Sequence, residues 1–153
     1  MGRYYNTSSG REGKFMFGVQ PSDDPEFFGM SAACVRYYAD DSSEPEIKKK
    51  LDELYDELEV PKDKRIYYFK EYEDLQKFED EYLYPKCFVS VKNDDEKEKE
   101  KHKGEAAWAS YKGDDYTDYQ IGNRAVTLAR IRLGLTVLSD IKDEGYCDLD
   151  AEL

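Results

Sequence analysis

The sequence predicts an α+β protein, a mainly antiparallel sheet of four to five strands with two to three helices on one face. Three observations lead there. Short runs at 14–20, 32–38, 65–69 and 86–92 are rich in apolar and β-branched or aromatic residues and are bounded by turn formers. Segments 44–58 and 74–82 carry apolar residues at helical spacing. The stretch 120–142 runs too long without interruption for an ordinary strand. A chain of 153 residues fits one domain, 1–153. With 14 Tyr, 7 Phe and 1 Trp, it has enough aromatic area to build a core despite 35 acidic and 23 basic residues, which argues against disorder throughout.

Residues 1–12, rich in Gly, Ser and Arg, read as a flexible arm. In 14–20, Phe15, Phe17 and Val19 alternate with Met16 and Gly18, as a strand buried on at least one side requires. Pro21 stops it, and Asp24 is placed to cap one helical turn with Pro25 first and Gly29 at its end. The next strand is AACVRYY, 32–38. In 44–58, Ile47, Leu51, Leu54, Tyr55 and Leu58 make one apolar stripe, opened by Glu44, Pro45 and Glu46 and closed by Pro61. RIYYF at 65–69 predicts a third strand, and Leu75, Phe78 and Tyr82 a second helix. In 86–92, Cys87, Val89 and Val91 alternate with Phe88 and Ser90, a fourth strand.

The run 93–104 is charged and without apolar residues, a solvated loop or fraying helix. A short strand is expected at 106–111, with GDDYTDY as a turn-rich connection. In 120–142, Ile131, Leu133, Leu135 and Val137 alternate like a strand, whereas Ile121, Ala125, Leu128, Leu135 and Leu138 fit a helix, and length decides for the helix. Asn123 can cap it and Gly145 end it, while Gly134 weakens its middle by about 1 kcal/mol relative to Ala. Residues 146–153 read as a loose acidic tail.

Charge and composition exclude whole classes of function. A net charge of −12 leaves no excess of Lys and Arg to neutralise phosphates, so direct nucleic-acid binding and anionic membrane surfaces are not expected. No stretch approaches the roughly 18 apolar residues of a membrane span, and no apolar leader segment opens the chain, so a cytoplasmic location is expected. Cys34, Cys87 and Cys147 are widely spaced, without a CxxC pair, and read as reduced thiols. The single histidine, His102, sits in the charge run, where it is poorly placed to serve a Ser or Cys nucleophile or a zinc site. Neither a Walker loop nor GxGxxG occurs, so no metal or cofactor is expected.

Four features remain. The end of the first strand delivers Gln20, Ser22, Asp23 and Asp24 to one rim, where they face Arg36 or Arg124 in a ligand site, with the aspartates able to hold a hard cation such as Mg2+. The bland alternative makes Asp24 a helix cap and Asp23 a solvated turn residue. Arg124, Arg130 and Arg132 form an acid-free island, but they point in different directions around a helix and suit pairing with the protein's own acids. Tyrosine pairs such as Tyr37–Tyr38 and Tyr67–Tyr68 place one ring in the core and its neighbour outside. Finally, Glu71, Glu73, Asp74, Glu79, Asp80 and Glu81 stand against one lysine in 71–81, a spacing of carboxylates that can imitate a phosphate backbone.

The tyrosine-rich start followed by GKFMFGVQPSDD, within residues 4–29, resembles the N-terminal segment of uncharacterised hypothetical proteins carried by phages and large DNA viruses. The resemblance covers about the first fifth of the chain, implies a phage or viral origin, and transfers no catalytic residue. The expectation is a non-enzymatic acidic protein engaging a basic partner protein, in the manner of an inhibitor or decoy. A small-ligand or carboxylate-based site at the end of the first strand, and a virion or assembly role, stand as alternatives.

Overall fold

The computed structural model describes residues 4–7, 12–14, 24–33, 36–102, 107–109 and 115–152. They form an α+β fold arranged around one long helix, α5, Arg124–Glu144. Residues 133–141 of α5 are all buried, so this helix has no solvent face along its middle. It ends where expected, at Gly145, whose left-handed backbone (φ 84°) donates its N–H to the Ile141 carbonyl. Asn123 precedes it without a side-chain capping bond.

Helix α1, Glu44–Glu57, packs along α5 through Ile47, Leu51, Leu54 and Tyr55, the stripe that the spacing predicts. Its start follows a 3-10 turn, Asp41–Ser43, capped by Asp40 accepting from the Ser42 N–H at 3.0 Å. Its end is a Schellman arrangement: Val60 N–H donates to Tyr55 C=O and Glu59 N–H to Asp56 C=O. Glu59 therefore sits at φ 56°, a position that usually takes glycine.

Against the other side of α5 lies a five-stranded antiparallel sheet, made of β1 (Tyr4–Thr7), β2 (Glu12–Lys14), β3 (Ser31–Ala33), β4 (Arg36–Asp40) and β8 (Tyr146–Glu152), in the order β2-β1-β8-β4-β3. Tyr37, Ala39, Cys147 and Leu149 turn inward and are buried. Tyr38 and Tyr146 face outward, 49% and 36% exposed, with rings stacked at 6.3 Å. A second, three-stranded antiparallel sheet, order β5-β7-β6, consists of β5 (Phe88–Lys92), β6 (Ala107–Ala109) and β7 (Tyr116–Gln120). Helix α2 (Tyr72–Phe78) runs into a π turn (Glu79–Leu83) and the short α3 (Tyr84–Cys87), which leads directly into β5. Helix α4, Glu96–Lys101, is capped by Asp95.

Several expectations are corrected. Residues 4–7 of the predicted arm are a strand between β2 and β8, and residues 146–152 of the predicted tail are a central strand of the same sheet. Cys147 and Leu149 are buried and alternate with the exposed Tyr146 and Asp148, so the described part of the supposed tail has the inward and outward halves of a strand. The run 32–38 is a hairpin, β3 and β4, in which Ala33 pairs with Arg36. Of the strand expected over 14–20, Lys14 ends β2 and the remainder lies outside the described residues. The supposed connection GDDYTDY runs into β7, which also takes Gln120 from the start of the predicted helix, whereas the charged run 93–104 holds α4, in keeping with the loop or fraying helix expected there.

The segment 65–69 is not a strand, because its polar groups are taken by helices. The Tyr55 hydroxyl donates to Ile66 C=O at 2.7 Å, and the Phe69 N–H donates to Ser139 Oγ at 3.0 Å. Arg65 completes the clamp, donating to Val60 C=O, Asp52 and Asp56, with its side chain 6% exposed. The Tyr67 hydroxyl also donates to Asp52, at 2.5 Å.

Gly134 has a packing reason that outweighs its poor helix propensity. A Cβ there would lie 2.8 Å from the ring of Phe28, on the 3-10 turn Asp24–Phe28, and 3.4 Å from Leu51. Gly134→Ala gains about 1 kcal/mol of propensity but meets a buried ring, and overpacking costs about 1–3 kcal/mol. The substitution is expected to lower the thermal midpoint, as calorimetry would read; a rise would show that Phe28 moves aside freely.

Burial holds three acidic protons above their ordinary range. It pushes the Cys87 thiol up to about 12 and, with the Asp52 carboxylate beside it, the Tyr67 phenol up to about 12; it also raises Tyr55. These groups ionise in the unfolded chain near 9 for the thiol and 10 for the phenols while the folded state still holds its protons. Stability is therefore full below about pH 9 and lost as pH rises from there toward 12. Urea midpoints measured between neutral pH and about pH 11 should fall along that course.

Candidate functional site

Six residues were expected to form a ligand site. Gln20, Ser22 and Asp23 lie outside the described residues. Asp24 opens the 3-10 turn Asp24–Phe28, with the buried Pro25 next and Gly29 following at φ 78°. Arg36 begins β4, opposite Ala33 on one side and Asp150 on the other. Arg124 is the first residue of α5, and its guanidinium donates to the Lys86 carbonyl at 2.9 Å, tying the start of α5 to α3. Cys87 Sγ donates to the Arg124 carbonyl across the same junction. Arg36 and Arg124 thus belong to different sheets' surroundings, and Arg124 is engaged structurally.

Of the six expected partner-binding acids, Glu71, Glu73, Asp74, Asp80 and Glu81 are exposed. Glu79 is not: it is 4% exposed and grips Arg132 of α5 bidentately, at 2.7 Å from Nε and 2.9 Å from the second nitrogen. Glu79 stands one helical turn after Leu75, on the buried stripe with Phe78 and Leu83, while the acids around it stay in water. Burial pushes the Glu79 carboxyl upward, and the Arg132 guanidinium pulls against it. Arg132 accordingly pairs with an internal acid, as expected for the arginines of this helix.

A cleft that sequence reasoning missed opens between the π turn and one face of the three-stranded sheet. It measures about 650 Å³ and is lined by Gln76, Asp80, Tyr84, Pro85, Phe88, Ser90 and Asp118. Asp118, in the middle of β7, is 1% exposed and pairs across the ladder with Ser90 of β5. The Ser90 and Tyr84 hydroxyls each donate to one of its oxygens. Each oxygen keeps a further lone pair, and no cationic side chain among the described residues bonds to either. Tyr84 and Phe88 stack at 4.5 Å and form the aromatic wall. Asp80, one residue past Glu79, stands exposed at the lip.

Ser90 bonds to a carboxylate, but the imidazole of His102 stacks on Tyr119, whose neighbours in the strand alternation put it on the opposite face of the sheet from Asp118. Among the described residues, no group of three His, Cys, Asp or Glu side chains is arranged to hold a metal ion. None of their helices is long and apolar enough to cross a membrane.

The position of the cleft depends on the Glu79–Arg132 pair. Removing one member of a buried pair strands the other, at about 3–5 kcal/mol, so Glu79→Leu should lower the urea midpoint strongly. Glu79→Leu combined with Arg132→Met should recover most of that loss, and a double variant as weak as the single one would show that packing rather than charge is at stake. Compared with protein-family models, curated proteins and solved structures, the chain finds no match among them.

Proposed function

We propose that this chain is a non-enzymatic binding protein whose acidic face engages a basic protein partner. One observation carries the reading: Glu73, Asp74, Asp80 and Glu81 lie exposed along a single continuous helical segment, with the exposed Glu71 at its N-cap and Lys77 as its one cation. No basic side chain among the described residues pairs with any of the five. Carboxylates fixed on a helix create a field that attracts the surfaces proteins use to bind phosphate backbones, raising the association rate before any contact forms. The resemblance of residues 4–29 to phage and viral proteins supports an inhibitor or decoy acting on a host nucleic-acid-binding or defence protein.

The exposed Tyr38–Tyr146 stack supports a second reading, an assembly component that buries this sheet face against another subunit. Sedimentation across a wide concentration range separates it from the first, because only the second requires self-association.

The test of the first reading uses a fluorescent arginine-rich peptide as probe. Its affinity should fall steeply between about 50 and 200 mM salt. Reversing Glu71, Glu73, Asp74 and Glu81 to Lys should weaken it by about tenfold or more, chiefly through the association rate. The same four-charge reversal at Glu44, Glu46, Glu53 and Glu59, exposed on and beside α1, is the control. Equal effects from the two sets would reduce the attraction to net charge and sink the reading, as would indifference to salt.

A further inference from the structure

We infer that the cleft beside the π turn is a guanidinium socket that receives an arginine side chain of the basic partner, an inference that rests on the acidic-face reading and places its specificity. The cleft has the size of a ligand pocket, and its lining is neither purely apolar nor purely acidic. At its base Asp118 is buried with two hydroxyl donors and no cation among the described residues, so part of its acceptor capacity is open. At its lip Asp80 supplies a second carboxylate, and Gln76 an amide oxygen. Tyr84, Pro85 and Phe88 line the space between.

A hard metal ion needs a shell of several oxygens, which a wall of two aromatic rings and a proline does not provide. A planar guanidinium uses both parts: its N–H groups fork onto carboxylate and amide oxygens, and its faces lie well against aromatic rings. An ammonium group, a compact and strongly hydrated charge, gains less from such a wall. The cleft also opens beside the exposed acids Asp80 and Glu81, so a basic surface drawn to that helix arrives with its arginines at the entrance.

The experiment compares two peptides of equal charge, one with a central arginine among lysines and one with lysine there, against the full chain and two variants. Gln76→Trp adds bulk at an exposed position on the lip, and Asp118→Asn removes the buried charge while keeping its shape. For the unaltered chain the arginine peptide should bind about tenfold tighter than the lysine peptide. Gln76→Trp should erase that difference, and binding should shift the amide resonances of Ser90 and Asp118. Should Asp118→Asn fail to fold, Gln76→Trp still decides. Equal affinity of the two peptides, with charge reversal at Glu71, Glu73, Asp74 and Glu81 still weakening both, overturns the socket and leaves the acidic face standing. No binding of either peptide overturns both. Methylguanidinium binding as tightly as the arginine peptide overturns partner docking in favour of a small-ligand pocket.

Discussion

A helix buried on every side of its middle needs partners for its polar side chains, and the partners that Ser139 and Arg132 take place other parts of the molecule. Thr136 turns its hydroxyl back onto the Arg132 carbonyl within the helix. Ser139 accepts from the backbone of Phe69, pinning the segment after α1. Arg132 takes the carboxylate of Glu79 and so fixes the π turn. Ser139 and Arg132 thus anchor two different neighbouring segments, and the apolar residues of α5 supply the surface on which α1 and the five-stranded sheet rest.

That arrangement links the interior to the recognition surface. Glu79 and Asp80 are adjacent, yet one is held by α5 and the other stands in water at the rim of the cleft. Helical spacing separates them, since Glu79 stands four residues after Leu75 on the buried stripe that also holds Phe78 and Leu83, and Asp80 lies about a quarter turn away from it. From Tyr84 onward the chain tightens again into α3, and Pro85 and Phe88 follow at the cleft wall. The exposed acids from Glu73 to Glu81 and the internal Glu79 are thereby parts of one continuous helical run.

The sequence was most readable where a single period dominated. Ile47, Leu51, Leu54 and Tyr55 name the buried face of α1, and Gly145 the end of α5. It was least readable where polar residues occupy structured positions. The acids of β8 hid its alternation behind the look of a tail, and Asp118 in YTDYQ made a central strand look like a turn. RIYYF misled in the other direction, since strand-forming residues there are held by Tyr55 and Ser139 instead of by a neighbouring strand. The acids of 71–81 were visible from composition, and the separation of Glu79 from them was legible as well, since it falls within the helical stripe of Leu75, Phe78 and Tyr82. The cleft was hidden because Ser90 and Asp118 meet only through strand pairing, and the one available signal was that both break otherwise apolar or aromatic runs.

The place of β8 between β1 and β4 also governs how the chain reaches this state. Tyr146 pairs with Asp40 and Leu149 with Thr7, so the middle of the larger sheet joins residues roughly a hundred or more positions apart. Such pairings close very long loops before any contact repays the ordering, whereas α1 and α5 can form early from neighbouring residues. Contact order therefore places the larger sheet among the last elements expected to form, and until β8 docks, β1 and β4 would present unpaired edges to other chains. Expression conditions that slow this last step should show aggregation rather than degradation of the helices.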